Sequence, residues 1–92
     1  MGHRSELTLF CRESPYTVIV EPWAEEFLIE TGARCRVVAL NSKVVPTFEV
    51  ELNGAVLIVC VNESGSTYEF WRADVKEFET PIPIPRLPEF SE

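Results

Sequence analysis

The chain alternates hydrophobic and polar residues with a period of two along most of its length. This period is typical of β-strands that have one face toward a core and the other toward solvent. Turn residues such as Ser14-Pro15, Thr31-Gly32 and Asn53-Gly54 interrupt the pattern, and apolar residues at helical spacing do not continue beyond a turn or two. The pattern predicts an all-β fold, an antiparallel β-sandwich or partly open barrel of about seven strands.

The predicted strands cover residues 6–12, 16–20, 26–30, 34–40, 47–52, 55–61 and 66–72. One alternative stays open, because Pro22 suits the first turn of a helix and residues 23–29 could form a short one. Near the C-terminus the composition changes, since four prolines fall within residues 81–88. Proline cannot donate a backbone hydrogen bond to a sheet, so we expect a single all-β domain over residues 1–79 and an extended Pro-rich tail over residues 80–92.

Residues 47–72 predict a three-stranded antiparallel meander. Asn53-Gly54 is a strong signal for a two-residue hairpin turn, which pairs Leu52 with Ala55. One face of the meander is then a core face, made of Phe48, Val50, Leu52, Leu57 and Val59. A four-residue second loop turns Tyr68 and Phe70 into the core, whereas a five-residue loop turns them outward. We favour the four-residue loop because it buries both aromatic rings.

The opposite face of this meander is predicted to be more apolar than a solvated surface. Fully burying a large apolar side chain is worth about 1.5–3 kcal/mol, so we expect this face to have a cover. The cover is either the chain's own tail or N-terminal strand, or a partner protein. A further aromatic candidate, Trp23, either anchors a partner or packs as a corner residue under a sheet edge. The predicted interaction residues are Val56, Ile58, Trp71, Glu49, Glu51, Glu69 and Trp23.

Charge and composition narrow the class of function. The chain has 15 acidic and 8 basic residues, a net charge of −7, which argues against a nucleic-acid partner and favours a basic protein partner. The longest apolar run, residues 55–61, has the length of a strand and is too short to span a membrane. The N-terminus also lacks the apolar stretch of a secretory signal. These features predict a cytoplasmic protein.

Few residues in the sequence can carry chemistry. Cys11, Cys35 and Cys60 are widely spaced, so we expect free buried thiols and no disulfide framework. The only histidine is His3, which leaves no ligand set for zinc or copper and no Ser-His or Cys-His pair in a stable position. We therefore expect no metal, no cofactor and no catalytic residues, and a protein that is not an enzyme.

One segment resembles known proteins. Residues 20–27, V-E-P-W-A-E-E-F, followed by Gly32, are similar to a segment of small uncharacterised bacterial β-sandwich proteins. The resemblance implies a compact β-fold in a bacterial protein and brings no activity or site residues with it.

The sequence favours a protein-interaction or self-associating β-domain, either a homodimer or a domain that binds another protein, through its apolar, carboxylate-bordered sheet face. The alternative is a small-ligand-binding or carboxylate-based catalytic domain with a pocket at one end of the sandwich. That alternative predicts clustered carboxylates in a cleft.

Overall fold

The alternating segments form eight β-strands in the computed structural model, which describes residues 2–85. These strands are β1 (His3–Phe10), β2 (Tyr16–Glu21), β3 (Glu25–Ile29), β4 (Arg34–Ser42), β5 (Thr47–Asn53), β6 (Val56–Asn62), β7 (Thr67–Arg72) and β8 (Val75–Glu79). They form two four-stranded sheets, sheet A in the order β1-β4-β7-β8 and sheet B in the order β3-β2-β6-β5. The predicted sandwich is confirmed, and the sheets do not close into a barrel.

Strand pairing is antiparallel throughout both sheets except between β2 and β6, which run parallel from Thr17↔Val56 to Glu21↔Cys60. Both strands of this pair lie at the centre of sheet B. Both strands are apolar on both faces, as the runs V-L-I-V-C-V in β6 and T-V-I-V in β2 show. Their inward residues Val18, Val20 and Val59 are fully buried, whereas the outward Ile19, Val56 and Ile58 are half-buried.

The core lies between the two sheets and is built from alternate residues of each strand. Aromatic rings fill its β3–β7 side: Phe27 stacks on Phe70 with ring centroids 4.0 Å apart, and Phe78 meets Phe27 edge-on at 5.8 Å. The fully buried core residues are Val18, Val20, Ile29, Cys35, Val37, Ala39, Val59, Tyr68 and Phe70. Tyr68 and Phe70 therefore face inward as predicted, although β6 and β7 are not joined by the predicted hairpin.

Two details of the predicted elements are corrected. Residues 25–29 form strand β3, so the helical alternative for residues 23–29 is wrong. Strand β8 was not predicted, because Val75–Glu79 contains only one partly buried residue that packs on the core, Phe78. It forms because Ala73, with a φ of 53°, turns the chain back along β7.

The predicted meander is wrong in its third strand. Strand β7 belongs to sheet A, where it pairs with β4 and β8. The position beside β6 that the meander assigns to β7 is taken by β2. The loop between β6 and β7 uses positive φ angles at Glu63 (104°) and Gly65 (83°) to cross between the sheets. This crossing brings Tyr68 and Phe70 into the core from the opposite sheet.

The β5–β6 hairpin is present with a different turn. Its two-residue loop is Gly54-Ala55, so Asn53 pairs with Val56 and Leu52 with Leu57. Only Gly54 has a positive φ, 63°, which is the requirement at the first central position of a type II′ turn. The register differs by two residues from the predicted one, and each side chain keeps its predicted face because strand faces alternate with a period of two.

The first residues of the predicted tail dock on the sandwich. The Thr80 N–H donates to the Tyr68 carbonyl, and the Ile84 N–H donates to the Ser66 carbonyl at 2.8 Å. Ile84 packs against the core at this end. Residues 86–92 of the predicted tail lie outside the described residues.

Candidate functional site

The outer face of sheet B carries most of the predicted interaction residues. The registers of its strands place Ile19 beside Ile58, and Thr17 between Leu28 and Val56. Carboxylates follow along both edges, because Glu26 pairs with Ile19 on one side and Glu51 pairs with Ile58 on the other. We call this surface the acid-bordered face; it consists of Ile19, Leu28, Val56 and Ile58 with Glu21, Glu26, Glu49 and Glu51 around them.

The apolar residues of the acid-bordered face are partly exposed. Leu28 has 56% of its surface accessible, whereas Ile19, Val56 and Ile58 are half-buried by their neighbours on the sheet. Cys60 lies in line with them, and burial together with the carboxylates of Glu49 and Glu21 raises the pKa of its thiol. A shallow depression of about 210 Å³ lies at this point, against Ile58 and the β5 edge.

The border carboxylates have no basic partner among residues 2–85. Every ion pair in that part of the chain uses Glu6, Glu69, Glu77 or Glu79 instead. Among residues 2–85, the face therefore combines apolar side chains with negative charge that no basic side chain neutralises. Such a combination repels acidic surfaces and attracts basic ones.

The outer face of sheet A has the opposite character, and it contains Trp71 and Glu69. The Arg36 guanidinium lies 4.7 Å from the Trp71 ring centroid and pairs with Glu6 at 2.8 Å. The Trp71 indole N–H donates to the Glu69 carboxylate at 2.9 Å. The prediction that Trp71 and Glu69 share an outer face with Val56 is wrong, because β7 belongs to sheet A. Trp71 is already covered by Arg36 and held by Glu69.

Trp23 lies between the two sheets as a corner residue. Its ring is tilted against Tyr68 with centroids 4.6 Å apart, and its indole N–H donates to the Ile82 carbonyl at 2.6 Å. Its ring therefore closes one side of the core and is separate from the acid-bordered face.

None of the predicted internal covers reaches the acid-bordered face within the described chain. Strand β1 pairs with β4 in sheet A. Residues 80–85 run beside Tyr68, Ser66 and Trp23, away from the outer surface of sheet B.

Sequence reasoning missed Ile19 and Leu28. Both alternate correctly within their own strands, with Ile19 between the inward Val18 and Val20. Their place beside Ile58 depends on the parallel β2–β6 pairing, which joins strands about forty residues apart in sequence. A local pattern contains no signal for such a pairing.

An open groove of about 710 Å³ lies at one end of the sandwich. The β1–β2 loop and the β5–β6 turn line it, and its apolar lining residues include Phe10, Tyr16, Leu52 and Leu57. Its lining contains a single carboxylate, Glu13, so the described groove lacks the clustered carboxylates that a catalytic site of that type requires.

The remaining ionisable residues of the interior have structural partners. The buried Tyr68 hydroxyl donates to the Glu25 carboxylate, and burial followed by this hydrogen bond raises the pKa of Tyr68. Burial also raises the pKa of the Cys35 thiol.

Residues 2–85 contain no group of three or more His, Cys, Asp or Glu side chains placed to hold a metal ion. Within the same residues, no helix is long and apolar enough to cross a membrane.

Comparisons of the chain with protein-family models, curated proteins and solved structures found no match. The two four-stranded sheets define the protein's class as a two-sheet β-sandwich.

Proposed function

We propose that this protein is a non-enzymatic interaction domain that binds another protein through the acid-bordered face. The observation that carries the proposal is an apolar surface bordered by carboxylates that have no basic partner in residues 2–85. On this surface Leu28 is 56% exposed on the edge strand β3, and Ile19, Val56 and Ile58 are half-buried on the two central strands. An interface with an apolar centre and a charged rim has the usual anatomy of a specific protein contact.

The charge of the rim selects the partner. Glu26 stands on the β3 edge, and Glu49 and Glu51 stand on the β5 edge, so a partner meets negative charge on two sides. A second copy packed face to face would bring the same carboxylates together, which costs free energy at neutral pH. A partner with apolar residues surrounded by Lys or Arg fits better. Homodimerisation remains the competing form of this proposal.

The test uses a photo-reactive amino acid in place of Val56 to cross-link and identify the bound protein in cells. The affinity of the purified partner is then measured for three variants. Ile58→Glu places a charge in the apolar centre and should weaken binding at least about tenfold, equivalent to roughly 1.4 kcal/mol. Thr8→Glu, on the exposed outer surface of sheet A, is the matched control and should bind normally. Glu49→Gln with Glu51→Gln should weaken binding and flatten its salt dependence.

Two results would contradict the proposal. One is unchanged affinity of a folded Ile58→Glu variant for the cross-linked partner. The other is global unfolding of that variant, which would show that the face belongs to the core. Sedimentation equilibrium on the purified chain distinguishes homodimerisation from binding to a different protein. A stable dimer that Ile58→Glu dissociates would identify a second copy of the chain as the partner.

The end groove favours a second candidate function, the binding of a small apolar ligand. Its volume of about 710 Å³ is within the range of ligand sites, which are roughly 300–1,000 Å³. Ala55→Trp in the turn should fill the groove and abolish binding of the fluorescent probe anilinonaphthalene sulfonate. Binding of the probe that this variant leaves unchanged would remove the support for a ligand site.

A further inference from the structure

Strands β1 and β5 are the edge strands on one side of the sandwich, and the cleft between them is open. They approach each other at one end, where the Ser5 hydroxyl donates to the Pro46 carbonyl at 2.7 Å. Toward the other end the inward side chains of β5 become progressively uncovered. Pro46 is buried and Phe48 is half-buried, whereas Val50 is 49% and Leu52 69% exposed. Apolar side chains that point toward the core are thus left without a covering strand.

The backbone of β5 is also unpaired along this side. A two-residue loop makes its flanking residues, Asn53 and Val56, a hydrogen-bonded pair, and such pairs recur at every second residue. The N–H and C=O groups of Phe48, Val50 and Leu52 therefore point away from β6. Within residues 2–85 no other strand bonds to them. An exposed edge of this kind is a template for an added strand.

The side chains of β5 specify what that strand must carry. Glu49 and Glu51 lie on the outer side of the sheet, while Val50 and Leu52 lie on the inner side. Directly opposed cross-strand residues interact most strongly when charges are opposite or when both are apolar. We propose that β5 binds an extended protein segment with alternating basic and apolar residues, which adds to sheet B as a fifth strand. Its basic side chains pair with Glu49 and Glu51, and its apolar side chains cover Val50 and Leu52.

This inference goes beyond the proposed function, because it concerns the backbone edge of β5 and the cleft. It shares the carboxylates Glu49 and Glu51 with the acid-bordered face and leaves the apolar residues of that face free. A second copy of the chain is a poor occupant of the same edge. Pairing of β5 with β5 would place Glu49 and Glu51 beside the same carboxylates of the partner, and like charges directly opposite destabilise a strand pair.

The experiment uses a capped seven-residue peptide that alternates lysine and valine, matched in length to β5. The control peptide has the same composition with its lysines and valines in two blocks. The alternating peptide should bind about tenfold more tightly than the block peptide, because only alternation places both residue types opposite their partners. Amide hydrogen exchange should slow at Phe48, Val50 and Leu52, whose N–H groups become bonded.

Three variants locate the contact. Val50→Pro removes one outward N–H without removing a bond to β6, since proline is tolerated on strand edges, and it should abolish peptide binding. Leu52→Lys changes a side chain that is 69% exposed, so the fold should be retained while binding weakens about tenfold. Thr8→Glu, on the exposed outer surface of sheet A, is the control and should bind the alternating peptide normally.

The inference is overturned if the alternating peptide fails to bind at millimolar concentration or binds no better than the block peptide. It is also overturned if a folded Leu52→Lys variant binds the alternating peptide as well as the native chain does. Slowed exchange at the β5 edge without peptide, together with a dimeric mass, would assign the edge to a second copy and reject the basic segment.

Discussion

The hydrogen bond between Tyr68 and Glu25 links the two sheets through the core, and its removal is the sharpest test of the packing. Tyr68 is fully buried on β7 in sheet A, while Glu25 begins β3 in sheet B. Tyr68→Phe keeps the ring, which contacts Trp23 at 4.6 Å and Phe78 at 5.7 Å between centroids, and removes only the hydroxyl. A hydrogen bond to a charged group is worth about 1.5–3 kcal/mol, so the free energy of unfolding should fall by about 2 kcal/mol.

Urea denaturation followed by tryptophan fluorescence measures this loss, because Trp23 contacts Tyr68 directly. For a slope of roughly 1–2 kcal/mol per molar urea, the midpoint should fall by about 1–2 M. Tyr16→Phe is the matched control: Tyr16 is half-buried, and its hydroxyl makes no hydrogen bond within residues 2–85. A loss below about 0.5 kcal/mol for Tyr68→Phe, or an equal loss for Tyr16→Phe, would refute the role of this bond.

Three further predictions concern the core and its titrating groups. Burial and the Glu25 hydrogen bond raise the pKa of Tyr68 above its ordinary 10.0. The stability that this residue contributes is therefore complete below pH 10 and falls as the pH rises further. Urea midpoints measured across pH 9–12 should show this decline, and the decline should be smaller in Tyr68→Phe. Phe70→Ala removes a fully buried ring and should cost about 3–5 kcal/mol in thermal or urea unfolding, whereas Phe10→Ala, at a site 47% exposed, should cost under about 1 kcal/mol. In the folded protein, iodoacetamide should modify only the half-buried Cys60, and the reaction should be slow because the pKa of this thiol is raised. Mass spectrometry should find the two buried thiols modified only after unfolding. Equal labelling of all three thiols in the native state would contradict this burial pattern.

Much of the strand plan and of the inward and outward pattern could be predicted from the sequence, because both follow from a local period of two. Val56 and Ile58 share a face with Glu49 and Glu51, although the turn lies at Gly54-Ala55. A shift of two residues in register leaves every side chain on its original face. The predicted faces of the β5 and β6 side chains are therefore correct, although the predicted position of the turn is wrong.

The local sequence pattern does not predict which strands pair with each other in the sheets. A strand that is apolar on both faces, such as β6, is predicted to be central, but nothing in its residues specifies which strand will pair with its second edge. The parallel partner β2 and the departure of β7 to sheet A both depend on packing between distant segments. For this reason the sequence predicts Trp71 on the same face as Val56 and predicts Val50 and Leu52 in the core, whereas Trp71 lies in sheet A and both β5 side chains are exposed.

The order in which successive strands join the two sheets affects how the protein folds during its synthesis. The connections β1–β2, β3–β4, β4–β5 and β6–β7 each cross from one sheet to the other, so neither sheet is built from a contiguous stretch of chain. Sheet B lacks its strand β6 until Asn62 has been synthesised, and sheet A lacks β8 until Glu79. Topologies dominated by such distant pairings fold slowly, in about milliseconds to seconds. On the ribosome, the central strands β2 and β4 therefore lack one of their two sheet partners until β6 and β7 have emerged. Buried residues of these strands, such as Val18 and Val37, are covered only after distant parts of the chain have been made.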